Sequence, residues 1–128
     1  MAIKIVRLGS SREKGEGLRI GTVRYPPRGI RKEEYASKNF YDVWFPNLSP
    51  SEDLLKEAKA VEDPKSWLTF RRRFLAEMKS SETSKILDLI AVLSHQTNIS
   101  LGCYCEDEAR CHRSILRELL LERGADIL

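Results

Sequence analysis

The sequence predicts a single α/β domain with a small, mixed and mostly parallel sheet of about four strands, flanked by helices. Three observations carry this. Short apolar or alternating runs of strand length lie at 3–8, 18–24, 41–45 and 99–105. Residues 49–96, between the third run and the fourth, show helical periodicity and helix start signals. A strand that returns after so long a helical crossover pairs parallel with its neighbour. The chain of 128 residues is enough for one core and shows no repeat, low-complexity tract or linker, so residues 1–128 read as one domain.

The elements follow in order. Residues 3–8, Ile-Lys-Ile-Val-Arg-Leu, alternate as a half-buried strand does. Gly9 to Gly17 is polar and turn-rich, and residues 18–24 form the second strand. The link between them is too short for a crossover helix, so this pair is expected to be antiparallel. Pro26 and Pro27 interrupt both a ladder and a helix, which makes the stretch from Tyr25 to Gly29 a loop. One helical turn is expected over 31–37. Residues 41–45, rich in aromatic and β-branched side chains, form the third strand.

Ser49-Pro50-Ser51-Glu52 reads as a capping box with proline at the first helical position, opening a helix to about Ala60. Asp63-Pro64 repeats the start signal. Trp67, Phe70, Phe74 and Met78 then recur at helical spacing and should be buried, and Trp44 is assigned to the core as well. Residues 83–96 are apolar nearly all round, which predicts a well-buried helix ending near a capping His95. The strand 99–105 leads to a helix whose apolar residues fall at 115, 116, 119 and 120 and which stops at Gly124.

Composition narrows the function classes. A net charge of +3 gives no whole-molecule attraction for nucleic acid, so any electropositive role must come from local clustering. No apolar run approaches the roughly 18 residues of a membrane span. The chain enters a strand pattern at Ile3 without the apolar region of a signal peptide. A cytoplasmic protein with reduced thiols and no membrane partner is expected. Three cysteines cannot all pair within one chain and read as metal ligands, reactive thiols or core residues.

All three cysteines and one of the two histidines lie between Ile99 and Leu116, where a strand gives way to an acidic loop and a helix start. Cys111 is a candidate nucleophile, with His112 beside it and Arg113 as an anion contact, because a helix N-terminus and nearby cations favour a thiolate. Adjacent helical residues point about 100° apart, so sequence does not fix a Cys111–His112 pair. The competing reading buries Cys111 as a small core residue and turns His112 and Arg113 to the acidic loop. Cys103, Cys105, Cys111 and His112 are enough ligands for zinc. Their spacing argues against it: Cys103 and Cys105, two apart on a strand, would be about 6.6 Å from each other. No metal and no cofactor is assigned. A redox pair of Cys105 with Cys111 is a further alternative. Cys111 and Arg117 formally fit a phosphatase-type loop, but the intervening residues are helical and contain no glycine to wrap a phosphate. Glu106, Asp107 and Glu108 are expected to point outward and pair with Arg110.

A second cluster is Arg24, Arg28, Arg31 and Lys32 around the proline-stiffened loop, where Gly29 allows close approach. Arginine suits bidentate carboxylate or phosphate contacts. If the second and fourth strands are parallel, this loop and the loop after Cys105 emerge at one sheet edge, where α/β domains bind ligands. Arg24 and Arg113 would then converge in one pocket. Arg71, Arg72 and Arg73 read as a solvated helix face, with contact to a nucleic-acid backbone as the rival.

Taken together, four stretches resemble the bacterial and archaeal family called domain of unknown function 488. They are Gly21-Thr22-Val23-Arg24-Tyr25-Pro26-Pro27-Arg28-Gly29, Tyr41 through Ser51, Phe70 through Met78, and Gly102-Cys103-Tyr104-Cys105 through Cys111-His112-Arg113. The resemblance covers nearly the whole chain and implies a small single-domain α/β protein without an established reaction. The expected function is a basic, cysteine-containing pocket at the strand C-terminal edge. It would bind a small anionic ligand, phosphorylated or carboxylated, through Arg24, Arg28, Arg113 and Cys105, with Cys111 and His112 as the reactive groups of a possible enzyme. The alternatives are a nucleic-acid-binding module and a thiol redox or structural protein. Oligomeric state is not legible.

Overall fold

The first two strands do not pair with each other. In the computed structural model, which describes residues 1–128, β1 (Ile3–Arg7) and β2 (Leu18–Gly21) lie on either side of β4 (Ile99–Cys103). The two-residue β3 (Val43–Trp44) completes the order β1-β4-β2-β3, and every pairing is parallel. The expected antiparallel pair is therefore absent. A crossover needs length rather than a helix, and residues 8–17 return as an extended loop. Gly17 makes the return feasible. Its φ is +82°, and a Cβ there would stand 2.0 Å from the Asn98 carbonyl oxygen.

Four helices complete the chain: α1 (Glu52–Lys59), α2 (Pro64–Met78), α3 (Ser81–Leu93) and α4 (His112–Glu122). Each contributes to one core with the sheet, through Leu54 of α1, Phe70 and Phe74 of α2, Leu87 and Ile90 of α3, and Leu116 and Leu120 of α4. Ile99 and Leu101 of β4 join this core. The intervening Ser100 and Gly102 face the other way, as strand alternation requires. There the loops press in, and a Cβ on Gly102 would meet Leu8 at 2.4 Å.

Helix starts follow their caps. Ser51, not Ser49, caps α1 by accepting from the Leu54 amide, so Pro50 lies outside the helix. Asp63 and Ser66 form a reciprocal capping box on α2, with Pro64 at its first position. Two burial expectations change. Leu89 and Val92 of α3 are exposed, because the helix packs along one face only, and Trp44 is exposed on the edge strand with its indole donating to the Val23 carbonyl at 2.8 Å. The turn expected near 31–37 is a short 3₁₀ helix, Lys32–Glu34. His95 contacts Asp126 at 2.7 Å just beyond α3. No helix is long and apolar enough to cross a membrane.

Candidate functional site

Because β2 and β4 are parallel, the loops that follow them do emerge at the same sheet edge. Thr22 fastens them there. Its amide and its hydroxyl both donate to the Gly102 carbonyl, each at 2.9 Å. β4 ends at Cys103, and residues 104–111 turn back to begin α4 at His112. A cavity of about 790 Å³ opens between the two loops and α1 and α2.

The inner end of the cavity holds Cys103, Cys111 and His112, which are all buried, with the exposed Cys105 beside them. Cys111 is the residue before α4 and has extended dihedrals, φ −122° and ψ 150°. The 100° separation of helical neighbours therefore does not apply to it. Cys111 Sγ lies 3.6 Å from His112 Nδ1. The other ring nitrogen, Nε2, is 2.6 Å from the Thr22 carbonyl oxygen. A carbonyl only accepts, so Nε2 carries a hydrogen and donates it. In a neutral ring Nδ1 then presents its lone pair to the thiol. Phe74 holds the imidazole edge-to-face, with ring centroids 5.5 Å apart.

Cys103 and Cys105 Sγ are 3.8 Å apart, far closer than a continued strand would place them, because the ladder ends at Cys103. Hydrogen bonds from Cys103 and Cys105 lower the Cys111 thiol from its ordinary value; burial opposes them, and His112 adds to them. Cys103 is pushed up by sharing hydrogen bonds with Cys105 and Cys111 and by burial. Cys105 is pulled down by its contact with Cys103, but sharing with Cys111 and burial outweigh this and push it up. Tyr41 packs against this cluster with a buried, unpartnered hydroxyl, and burial raises its pKa to about 12.

The walls are apolar, among them Val23, Pro26, Phe40, Phe70 and Tyr104. The cations behave differently from one another. Arg28 lines the cavity with an exposed side chain. Arg24 also lines it, but its guanidinium donates to the carbonyls of Pro50 at 3.0 Å and Ser49 at 3.3 Å, tying the loop to the start of α1. Arg113 does not converge with Arg24. It is 3% exposed, lies outside the lining, and donates to the carbonyls of Val6 at 2.7 Å and Cys105 at 2.6 Å. From the first turn of α4 it thus ties the end of β1 to the turn after β4.

Arg110 is not paired with the acidic residues. Glu106 pairs with Arg7 and Glu108 with Arg117, Asp107 caps the Ala109 amide, and Arg110 lies over the Trp67 ring at 6.0 Å. Lys59 and Arg110 join Arg28 at the mouth, and none of the three is in an ion pair. Sequence reasoning missed Lys59 and the role of Thr22. Neither carries a local signal: Lys59 is an ordinary last-turn lysine and Thr22 an ordinary strand-end threonine. Cys103, the last residue of β4, is part of the cluster.

The family model DUF488-N3a, described as the active DUF488-N3 subclade, matches residues 3–124. No curated protein and no solved structure matches the chain.

Proposed function

The chain belongs to the DUF488 family, and on that premise we propose that its cavity binds a small anionic ligand with an apolar body and serves as the active site of an enzyme. The carrying observation is the gradient along one cavity of about 790 Å³: free cations at the mouth, apolar walls, and a buried Cys–His pair at the inner end. That volume is within the range of small-molecule sites, and such sites combine apolar walls with a few convergent polar groups. Arg28, Lys59 and Arg110 supply the anion contacts, and Cys111 and His112 meet the reacting end of the ligand. Arg24 shapes the wall through its two carbonyl contacts, and Arg113 holds the Cys105 turn in place. The subclade's description as active fits this reading.

The nucleic-acid alternative loses ground on a specific observation. Arg71 pairs with Glu118 and Arg73 with Glu57, so two members of the proposed backbone-binding face are already engaged.

The test is calorimetric titration of phenyl phosphate, benzoate and phenol, three probes that share an aromatic body. The phosphate or the carboxylate should bind at least about tenfold more tightly than phenol, a difference of about 1.4 kcal/mol. Arg28→Ala should remove most of that preference. Equal affinities for all three would refute the anion site. A steep salt slope with oligonucleotides, matched by no small-ligand binding, would favour nucleic acid instead.

A further inference from the structure

The close set of sulfur and nitrogen atoms at the inner end of the cavity is more specific than a reactive pair requires. We infer that Cys103, Cys111 and His112, completed by Cys105, form a binding site for a thiophilic divalent cation with zinc's tetrahedral preference. The inference rests on the reading above only in placing this ion where the ligand's reacting end arrives.

Four observations converge. The ligand atoms of Cys103, Cys111 and His112 all lie within 4.8 Å of one another, and all three residues are buried. Two of the separations match the edges of a metal tetrahedron. With metal–sulfur bonds of about 2.3 Å and metal–nitrogen bonds of about 2.0 Å, a tetrahedron has sulfur–sulfur edges near 3.8 Å and sulfur–nitrogen edges near 3.5 Å. Cys103 and Cys105 Sγ are 3.8 Å apart, and Cys111 Sγ is 3.6 Å from His112 Nδ1. The imidazole is oriented as a metal-bound histidine is: Nε2–H donates to the Thr22 carbonyl at 2.6 Å, which fixes the ring and leaves Nδ1 as the donor to an ion. Finally, Cys105 differs from the other three in being exposed, on the turn beyond β4. Two thiolates and one imidazole leave one position for Cys105, and this is the ligand that the reacting group of an incoming molecule can displace. A site of this kind polarises a bound carbonyl or phosphoryl oxygen.

Binding releases the thiol protons to solvent, so affinity rises with pH. Soft thiolate ligands select zinc, or cobalt as its spectroscopic substitute, over magnesium and calcium.

The experiment is titration of the reduced, chelator-treated full-length chain with Co²⁺, read by absorption, with Zn²⁺ stoichiometry from native mass spectrometry. One zinc per chain is expected, together with a thiolate-to-cobalt charge-transfer band and tetrahedral ligand-field bands that zinc bleaches. Cys111→Ser and His112→Gln should each weaken binding by about tenfold or more, and Cys105→Ser less, with circular dichroism reporting whether each variant folds. An octahedral cobalt spectrum without charge transfer in the wild-type chain would overturn the inference whatever the variants do. Retention of the charge-transfer band at full intensity in folded Cys103→Ser and Cys111→Ser would overturn it as well. Failure of the anion site is separately visible. Phenyl phosphate would then not bind with or without zinc, while the cobalt spectrum would remain.

Discussion

Before and within β2, Glu16 and Arg19 form a buried ion pair; just beyond its other end, Thr22 leads into the thiol–imidazole cluster. The two regions handle buried polarity in opposite ways. The Arg19 and Glu16 side chains are 0% and 2% exposed. Arg19 Nε donates to Glu16 at 2.7 Å, and Nη1 donates to the carbonyls of Ser10 at 2.9 Å and Asn39 at 2.7 Å. Glu16 in turn accepts from the Glu13 amide. This network keeps its partners within the fold and clips the loop 8–17 and the loop before β3 onto the sheet; Nη2 alone makes no hydrogen bond, though it stands 2.7 Å from Glu16 Oε1. At the other end, the thiols and the imidazole share few contacts and face a cavity. A buried polar network paired within its own fold holds structure together, whereas one with capacity left over is where an external partner binds.

The largest effect should come from breaking the internally paired end. Arg19→Met leaves Glu16 as an unpaired buried carboxylate and should cost about 3–5 kcal/mol in urea unfolding. A cost below about 1 kcal/mol would show that the two ends do not differ in this way.

Acid titration sharpens the same contrast. Burial alone would raise the Glu16 carboxyl, but the hydrogen bond from Arg19, the Glu13 amide and the Arg19 charge outweigh it and hold the carboxyl below the ordinary range. The stability this supplies is present above the unfolded value of about 4.3 and is lost as pH falls through the lower folded value. Glu16→Gln should therefore flatten stability against pH in that window, by at most about 1.4 kcal/mol per pH unit. An unchanged slope would mean that other carboxylates carry the acid limb.

The smallest stability effect belongs to the cavity end. Cys105→Ala removes an exposed thiol and should change unfolding free energy by no more than about 0.5 kcal/mol. A cost of about 2 kcal/mol would make Cys105 a structural residue and erase the contrast.

Local patterns in the chain were sufficient for the fold class and for the positions of the strands and the four helices. Alternation, apolar spacing and the Asp63-Pro64 cap act over a few residues, and those interactions survive tertiary folding unchanged. They also located the cysteines and Arg28 at one sheet edge, because the parallel pairing that unites the two loops follows from the long helical crossover before β4. Tertiary structure alone decided that β4 inserts between β1 and β2, since Gly17 passes Asn98 at a distance no side chain would permit. It also decided the fate of each arginine. Arg24 and Arg113 looked like anion ligands, but a guanidinium binds the nearest unsatisfied carbonyls, and those came from Ser49, Pro50, Val6 and Cys105. The sulfur spacing was likewise hidden. It depends on β4 ending at Cys103, and a strand ends where its neighbours stop offering hydrogen bonds, which no local sequence signal records.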